Sequence, residues 1–353
     1  MIARGSVTRP PLWLVFCSLL GLLFGASLVS TMIGAAGIPL PRLAAALGLG
    51  TAGDAVALAR DELVLWSIRL PRIALGAMIG AMLAAAGVVM QGVFRNPLAD
   101  PALVGVSSGA ALAAALTIVA GDRFLTAGIV SVRVEILPVA AFAGALAATI
   151  ALYRLATAHG RTSIAIFLLG GIAIAALVNA CIGLLVFVSD DRQLRDLTFW
   201  MLGSFAGATW VKVLAVLPFF AGILALFPAM ARGLDPLILG EAEAFHMGVA
   251  VERLKRISIA AVALAVGAAV SVSGIIGFVG IVVPHLLRMI VGPGHRALLP
   301  GSALLGAAMT LAADAIARTL AAPAELPIGV VTAAIGAPFF LVLLLRQRSL
   351  VAL

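Results

Sequence analysis

Ten long apolar runs, each closed by a short polar break, dominate this sequence. A helix that crosses the hydrocarbon core of a bilayer needs about 20 mostly apolar residues in succession. The runs have about that length, and they occupy residues 11–33, 73–94, 98–120, 136–157, 164–188, 211–230, 257–274, 275–292, 298–320 and 327–345. They predict an all-α integral membrane protein with about ten transmembrane helices. We expect one transmembrane domain over residues 1–353, with approximate halves 1–190 and 191–353.

The composition excludes an ordinary water-soluble fold. Hydrophobic residues make up 63% of the chain and charged residues only 11%, against about 25% charged residues in soluble domains. The runs are continuous rather than alternating, which favours helices over the strands of a barrel. The net charge of +8 does not indicate a nucleic-acid partner, because the basic residues lie in loops beside the spans, where membrane proteins concentrate them.

The first apolar run allows two interpretations. Arg4 and Arg9 precede it, as in a secretory signal, but the run from Pro11 to Ile33 is longer than the apolar core of such a signal. We therefore favour an uncleaved first span. With the N-terminus inside, the inner loops hold slightly more of the lysines and arginines than the outer loops, which predicts that both termini are cytoplasmic.

Two segments do not fit simple spans. Residues Leu197 to Trp210 are apolar but too short to cross, so they predict a short outer helix and a re-entrant or interfacial loop. Residues 232–256 form the longest inner loop and are too polar to lie in lipid. The seventh and eighth runs are almost continuous, and we place the turn between them at Gly274, Gly277 and Gly280 together with Pro284.

A spacing in the first half recurs in the second half. The shared positions form two sets, Gly80, Gly87 and Pro97 and then Gly267, Gly274 and Pro284. An odd number of spans separates the sets, so the halves would have opposite orientations. Inverted repeats of this kind are typical of transport proteins.

The sequence lacks the residues of an ATP-hydrolysing enzyme. No glycine loop of the phosphate-binding type precedes Lys212 or Lys255, so an ATP-driven activity would need an ATPase on another chain. Asp314 is the main acidic residue within a span. Because Arg318 follows it by one helical turn, an ion pair that extends toward the outer surface is favoured over a proton relay.

No catalytic or metal-binding cluster is predicted. Three histidines are expected to be solvated in inner loops: His159, His246 and His295. His285 follows a proline within a span and is expected to bond to the carbonyls that the proline frees. Cys17 and Cys181 lie far apart in apolar runs, which indicates neither a disulfide nor a metal site.

Five segments resemble those of a known family. They are RLPRIALGAMIGAMLAAAGVVMQGVFRNPLADPALVGVSSGA from Arg69, FWMLGSFAGATW from Phe199, LGEAEAFHMGV from Leu239, SGIIGFVGIVVPHLLRMIVGPGHRALLPGSALLGA from Ser273 and AELPIGVVTAAIGAPFFLVLLL from Ala324. Together they are similar to the FecCD-type permeases of ABC importers for iron-siderophore complexes, haem and vitamin B12, over nearly the whole chain beyond the first span.

The resemblance implies a fold, an assembly and a location. The fold would be that of a type II ABC importer permease, which forms a homodimer with the translocation path along its axis. Two copies of a separate ATPase would bind ATP and Mg on the inner face, and a periplasmic binding protein would deliver the substrate. The chain itself would bind no cofactor and would lie in the bacterial inner membrane.

The resemblance also implies roles for residues at both faces. Arg69, Arg72 and Arg318 match arginines that dock the binding protein, although Arg72 could simply anchor a helix end at the interface. Coupling to the ATPase would fall on the loop residues Leu239, Gly240, Glu241, Ala242, Ala244 and Gly248.

The translocation path and the substrate are implied less directly. Thr162 and Ser163 at the inner mouth, and Asn179 midway along the fifth span, are the polar groups assigned to the path or its gate. The segment DDRQLRDLTFWMLGSFAGATW resembles haem permeases most, so we expect haem, with ferric siderophores and vitamin B12 as alternatives. An ion-coupled secondary carrier and a non-transporting membrane scaffold or receptor are the rival classes.

Overall fold

The chain is almost entirely helical in its computed structural model, which describes residues 9–34, 37–50, 54–124, 130–322 and 324–351. Arg4 and the extreme ends of the chain lie outside these ranges. The helices are α1 (Leu12–Met32), α2 (Leu40–Ala46), α3 (Ala55–Val64), α4 (Leu70–Phe94), α5 (Val106–Phe124), α6 (Val130–Ala156), α7 (Ile164–Phe187), α8 (Asp191–Leu202), α9 (Trp210–Leu237), α10 (Glu241–His246), α11 (Val251–Ser273), α12 (Val279–Val291), α13 (His295–Leu320) and α14 (Ile328–Val351). A π-helical turn, Leu65–Arg69, joins α3 to α4, and a 3-10 turn, Pro101–Val104, precedes α5. One short antiparallel hairpin pairs β1 (Thr157–Ala158) with β2 (Arg161–Thr162).

The predicted number of spans agrees with the structure. Among the described residues, seven helices have the length and composition to cross a membrane. Three shorter apolar helices, Val106–Gly121, Val279–Val291 and Ile328–Leu343, bring the set to ten. The prediction of about ten transmembrane helices is therefore confirmed.

Helix α4 is the centre of the fold and packs most extensively against α13. The two backbones touch at Gly80, where an added Cβ would overlap the carbonyl oxygen of Gly306. Small residues allow this approach in a lipid environment, where close packing rather than water exclusion associates helices. Gly109 and Gly144 bring α5 and α6 together in the same way.

A second close contact joins α4 to the start of α12. A Cβ at Gly87 would overlap the carbonyl oxygen of Gly280, and the same carbonyl accepts a hydrogen bond from Gln91 Nε2 at 3.3 Å. The matched positions of the predicted repeat differ locally, since Gly87 lies within a helix whereas Gly274 ends one with a φ of 71°. The opposite orientation of the two halves stays a prediction.

Several boundaries differ from the sequence prediction. Helix α9 continues to Leu237 and α11 begins at Val251, so only the central part of the predicted inner loop 232–256 lies outside these two helices. The predicted turn after Gly274 is confirmed, because the chain is non-helical from there to Phe278, which has a φ of 67°. Pro284 lies inside α12 rather than in the turn.

The predicted outer helix exists but begins earlier than expected. It starts at Asp191 because Asp190 and Gln193 form a reciprocal capping box, which satisfies the first free backbone N–H groups. The chain then turns through 203–209 before α9, which agrees with the predicted loop. The outer helices α2 and α3 were not predicted. They are tied together by Arg42, whose Nε donates to the buried carboxylate of Asp61 at 2.7 Å.

Candidate translocation and coupling sites

The three arginines predicted to dock a binding protein lie together at one end of the molecule, the end predicted to be the outer one. Arg72 of α4 donates through Nη2 to Asp314 Oδ1 at 2.9 Å and through Nη1 to Glu325 Oε1 at 3.0 Å. Arg318 lies one turn beyond Asp314 on α13, with its Nε 3.1 Å from Asp314 Oδ2. The predicted ion pair between Asp314 and Arg318 is therefore confirmed. Asp314 is only 2% exposed, so two guanidinium groups share one buried carboxylate.

The same arginines hold the outer end of α1. Arg318 Nη1 donates to the carbonyl of Ile33 at 2.8 Å and its Nη2 to Ser30 Oγ at 2.7 Å, while Arg69 donates to the carbonyl of Thr31. The last carbonyls of a helix lack partners within the helix and carry a partial negative charge, which cations stabilise.

The arginine cluster corrects one expectation about Arg318. Its side chain is bonded to the end of α1 and is 8% exposed, so it does not extend freely to the outer surface as the sequence suggested. Arg69 and Arg72 are also buried, at 5% and 8% exposure. Nothing in this geometry tests their role in docking, which stays a prediction.

The residues predicted to couple to an ATPase surround the short helix α10. Gly240, with a φ of 139°, begins it, and Gly248, with a φ of 85°, ends the turn that follows it. Ala244 is fully buried against the fold. Leu239 is 67% exposed, and Glu241 and Ala242 lie in the first turn of α10.

Two further apolar side chains are exposed beside this helix. Phe245 is 69% exposed and Met247 is 61% exposed. The sequence analysis missed both, although large apolar residues in an otherwise polar loop are a recognisable signal. With Leu239 they form an apolar patch on a segment that does not cross the membrane, and such patches mark surfaces for protein partners.

The predicted gate residues divide into two groups. Thr162 ends the hairpin, and its backbone N–H donates to Glu252 Oε2 at 3.0 Å. Ser163 caps α7, where its Oγ accepts from the N–H of Ile166 at 3.4 Å. Asn179 is exposed midway along α7, roughly 24 Å farther along the helix by its rise per residue. The structure thus brings Thr162 and Ser163 close to the coupling segment and places Asn179 apart from them.

An open cavity of 510 Å³ lies at the outer side between α8 and the turn after α11. Arg192, Arg195 and Asp196 of α8 line it together with Phe199 and Trp200. Neither arginine has an ion pair or hydrogen bond within the described part of the chain. No role for these two arginines was predicted from the sequence. Their spacing of three residues on a capped helix, followed by two aromatic residues, was the available signal.

The histidines differ from expectation in two places. His295 was expected to be solvated, but it is 3% exposed and its Nδ1 lies 2.8 Å from Asp235 Oδ1. That contact joins the start of α13 to the end of α9, which the sequence separates by 60 residues. His285 Nδ1 has no hydrogen-bond partner among the described residues, rather than the expected carbonyl, and its ring lies edge-on to Phe339.

The described residues include no group of three or more His, Cys, Asp or Glu side chains that could hold a metal ion. Cys17 and Cys181 are free thiols.

Comparison with known proteins identifies the family. Residues 21–346 match the FecCD transport family. The chain belongs to that family. It is 46% identical over 283 residues to the hemin transport system permease protein HmuU of Yersinia pestis, covering 80% of this chain and 83% of the relative. It is 47% identical over 292 residues to the cobalamin import system permease protein BtuC of Halobacterium salinarum, covering 83% and 76%.

A solved structure supports the fold assignment. The chain matches a metal-chelate type ABC transporter in an inward-facing conformation with a TM-score of 0.79 and 33% identity, covering 94% of this chain and 99% of the other. The predicted type II ABC importer permease fold is confirmed. This FecCD chain is a multi-pass permease subunit of an ABC importer, a class of protein that works with ATPase subunits on separate chains.

Proposed function

We propose that this FecCD permease imports a metal chelate that carries negative charge, with haem as the substrate. The observation that carries the proposal is the pair of arginines, Arg192 and Arg195, which have no ion pair within the described residues and lie in the outer cavity beside Phe199 and Trp200. Haem presents two propionate groups on a flat apolar ring. Guanidinium groups bind carboxylates in a planar, often bidentate geometry, and aromatic side chains offer a matching flat apolar surface.

The charge of the cavity favours a negatively charged chelate such as haem over cobalamin. Asp196 offsets one of the two arginines, so the lining keeps a net positive charge. Ferric siderophores that carry negative charge would also fit and are the second candidate. The side groups of cobalamin are mostly neutral amides, which do not need two unpaired arginines, although the similarity to a cobalamin permease keeps this third candidate open.

The outward face of α7 supports a path between two copies of the chain. Leu184 is 71% exposed and Phe187 is 87% exposed, as expected for a surface that faces lipid or another apolar helix. Asn179 is exposed on the same helix. A polar side chain at this depth is costly against lipid, so we place it on a water-filled path at the axis of a homodimer.

The inner patch of Leu239, Phe245 and Met247 supports docking of an ATPase on each copy. This assignment makes the loop side cytoplasmic and the arginine cluster periplasmic, where a binding protein would deliver the substrate. ATP would drive alternating access by binding more tightly to one arrangement of the assembly than to the other, as any such switch requires.

The test is uptake into vesicles that contain the permease and the ATPase, with the binding protein outside. We expect ATP-dependent uptake of haem and little uptake of cobalamin. The double variant Arg192→Gln, Arg195→Gln should lower haem uptake severalfold, whereas Arg60→Gln, an exposed outer arginine away from the cavity, should not. Cobalamin uptake that is stronger than haem uptake would overturn the substrate. Uptake driven by a proton gradient without the ATPase would overturn the importer itself.

A further inference from the structure

Lys255 is a buried cation at the inner end of α11. Its side chain is only 3% exposed, and its Nζ lies 2.8 Å from Glu241 Oε2, 3.1 Å from Glu252 Oε1 and 3.4 Å from the carbonyl oxygen of Thr162. A lysine ammonium has three N–H donors. All three therefore have an acceptor, and each acceptor belongs to a different structural element or turn.

The three acceptors join segments that are distant in sequence. Glu241 begins α10, the helix beside the apolar inner patch, whereas Glu252 lies in the first turn of α11. Thr162 ends the hairpin that leads into α7. Glu252 also accepts from the backbone N–H of Thr162 at 3.0 Å, so both polar backbone groups of Thr162 are held by this cluster. Ser163, the next residue, caps α7.

The hairpin is also bonded to the end of α6, through the backbone N–H of Ser163 to the carbonyl of Ala156 at 2.9 Å and through the side chains of Thr157 and Thr162 to Tyr153. Among the described residues, its polar connection to α10 is the one through Lys255. Its own side-chain bond runs internally, from Thr157 Oγ1 to Thr162 Oγ1 at 3.0 Å. Movement of α10 would therefore reach the start of α7 through the carboxylate of Glu241 and the ammonium of Lys255. The ammonium at the centre of the link is buried, whereas the side chains of Glu241 and Glu252 are 37% and 34% exposed, and a buried charge that loses its partners is strongly unfavourable. The link accordingly resists breaking when the elements move.

We infer that Lys255 is a positioning residue that links the ATPase-docking helix to the gate hairpin, so that both move as one unit during transport. The inference rests on the proposed function of α10 and of Thr162. Lys255 belongs to neither the docking patch nor the predicted gate, so its role is additional to theirs. Lys255 itself touches neither the substrate nor the ATPase.

The test compares Lys255→Met, which keeps the length of the side chain and removes the charge, with Lys255→Arg, which keeps the charge. ATP hydrolysis and substrate uptake are measured on the same vesicles, and their ratio gives substrate imported per ATP hydrolysed. We expect Lys255→Met to lower this ratio roughly tenfold, within the usual range for coupling between two sites, with hydrolysis largely retained. Lys255→Arg should recover most of the ratio.

Two further variants complete the design. Arg296→Met removes an exposed inner cation that has no ion pair in the described part of the chain, and it should leave the ratio at the wild-type value. Glu252→Gln keeps the contact between Lys255 and Glu241 but weakens the hold on Thr162, so it should lower the ratio even if Lys255→Met does not assemble.

Different results would overturn the inference about Lys255 and the proposed function. A ratio that stays at the wild-type value in both Lys255→Met and Glu252→Gln would refute the link. A fall of the same size in Arg296→Met would also refute it, because the effect would then be one of general surface charge. Failure of the proposed function would instead appear as wild-type vesicles that show no ATP-driven uptake.

Discussion

Replacing Asp314 by Asn tests the arginine cluster most directly. The substitution keeps the size and one acceptor oxygen of the side chain but removes its charge. Arg72 would retain Glu325 at 3.0 Å, whereas Arg318 would retain only the hydroxyl of Ser30 and the carbonyls at the end of α1. One buried guanidinium would then face no carboxylate.

The expected loss of stability follows from burial. Breaking a buried ion pair from one side costs about 3–5 kcal/mol, and Asp314 is 2% exposed. We expect a value near the lower end, about 3 kcal/mol, because Arg72 keeps the carboxylate of Glu325 and Arg318 keeps neutral acceptors. Glu325→Gln is the matched control, since its side chain is 41% exposed and an exposed pair contributes about 0–1 kcal/mol.

The measurement is unfolding of the purified protein in detergent micelles by a denaturing detergent, followed by the loss of helical circular dichroism. The two variants should differ by about 2 kcal/mol or more in the free energy of unfolding. Equal values for Asp314→Asn and Glu325→Gln would refute the reasoning. Unchanged stability together with lost gradient-driven uptake would instead favour a proton relay at Asp314, the role expected of an ion-coupled carrier.

Three further predictions concern packing, assembly and docking. Gly87→Val should reduce the yield of folded protein, because a side chain at this position overlaps the backbone of Gly280. Gly21→Ala should not reduce the yield, because its side chain meets open space. Size-exclusion profiles of the two variants measure the folded fraction. A cysteine placed at residue 184 in a cysteine-free background should cross-link two copies in vesicles, and a purely monomeric band on a denaturing gel would contradict the dimer axis along α7. Arg69→Gln and Arg318→Gln should lower the rate of association with the binding protein at low salt but much less at high salt. An effect of equal size at both salt concentrations would instead indicate that the end of α1 is deformed.

The spans could be predicted from the sequence because the property that defines them is local. About 20 apolar residues in succession are sufficient to assign a membrane helix, and each predicted run corresponds to a helix in the structure. The ends of α9 and α11 were harder. The end of α9 carries Arg232 and Asp235 and the start of α11 carries Glu252 and Arg253, so hydropathy does not mark these turns as part of a membrane helix.

The site residues could be predicted only in part, because their contacts are long-range. The pair of Asp314 and Arg318 is one turn apart and visible in the sequence. The bond of Arg318 to Ile33 joins residues 285 positions apart, and that of Lys255 to Thr162 joins residues 93 apart. Neither leaves a local pattern. The burial of His295 was missed for the same reason, since its partner Asp235 lies on another helix.

The π-helical turn at Leu65–Arg69 fixes how the outer helix α3 is rotated relative to α4. The turn accommodates one more residue than an α-helical turn, and the helix continues through it from Ala55 to Phe94. Rewinding these five residues into an ordinary α-helix, with none deleted, would remove the wide turn. The outer helix α3 would then rotate by about 100° against α4, the angle of one residue step, and the carboxylate of Asp61 would swing away from Arg42. A wider turn at one place thus determines the shape that this subunit presents at the end where the binding protein is predicted to dock.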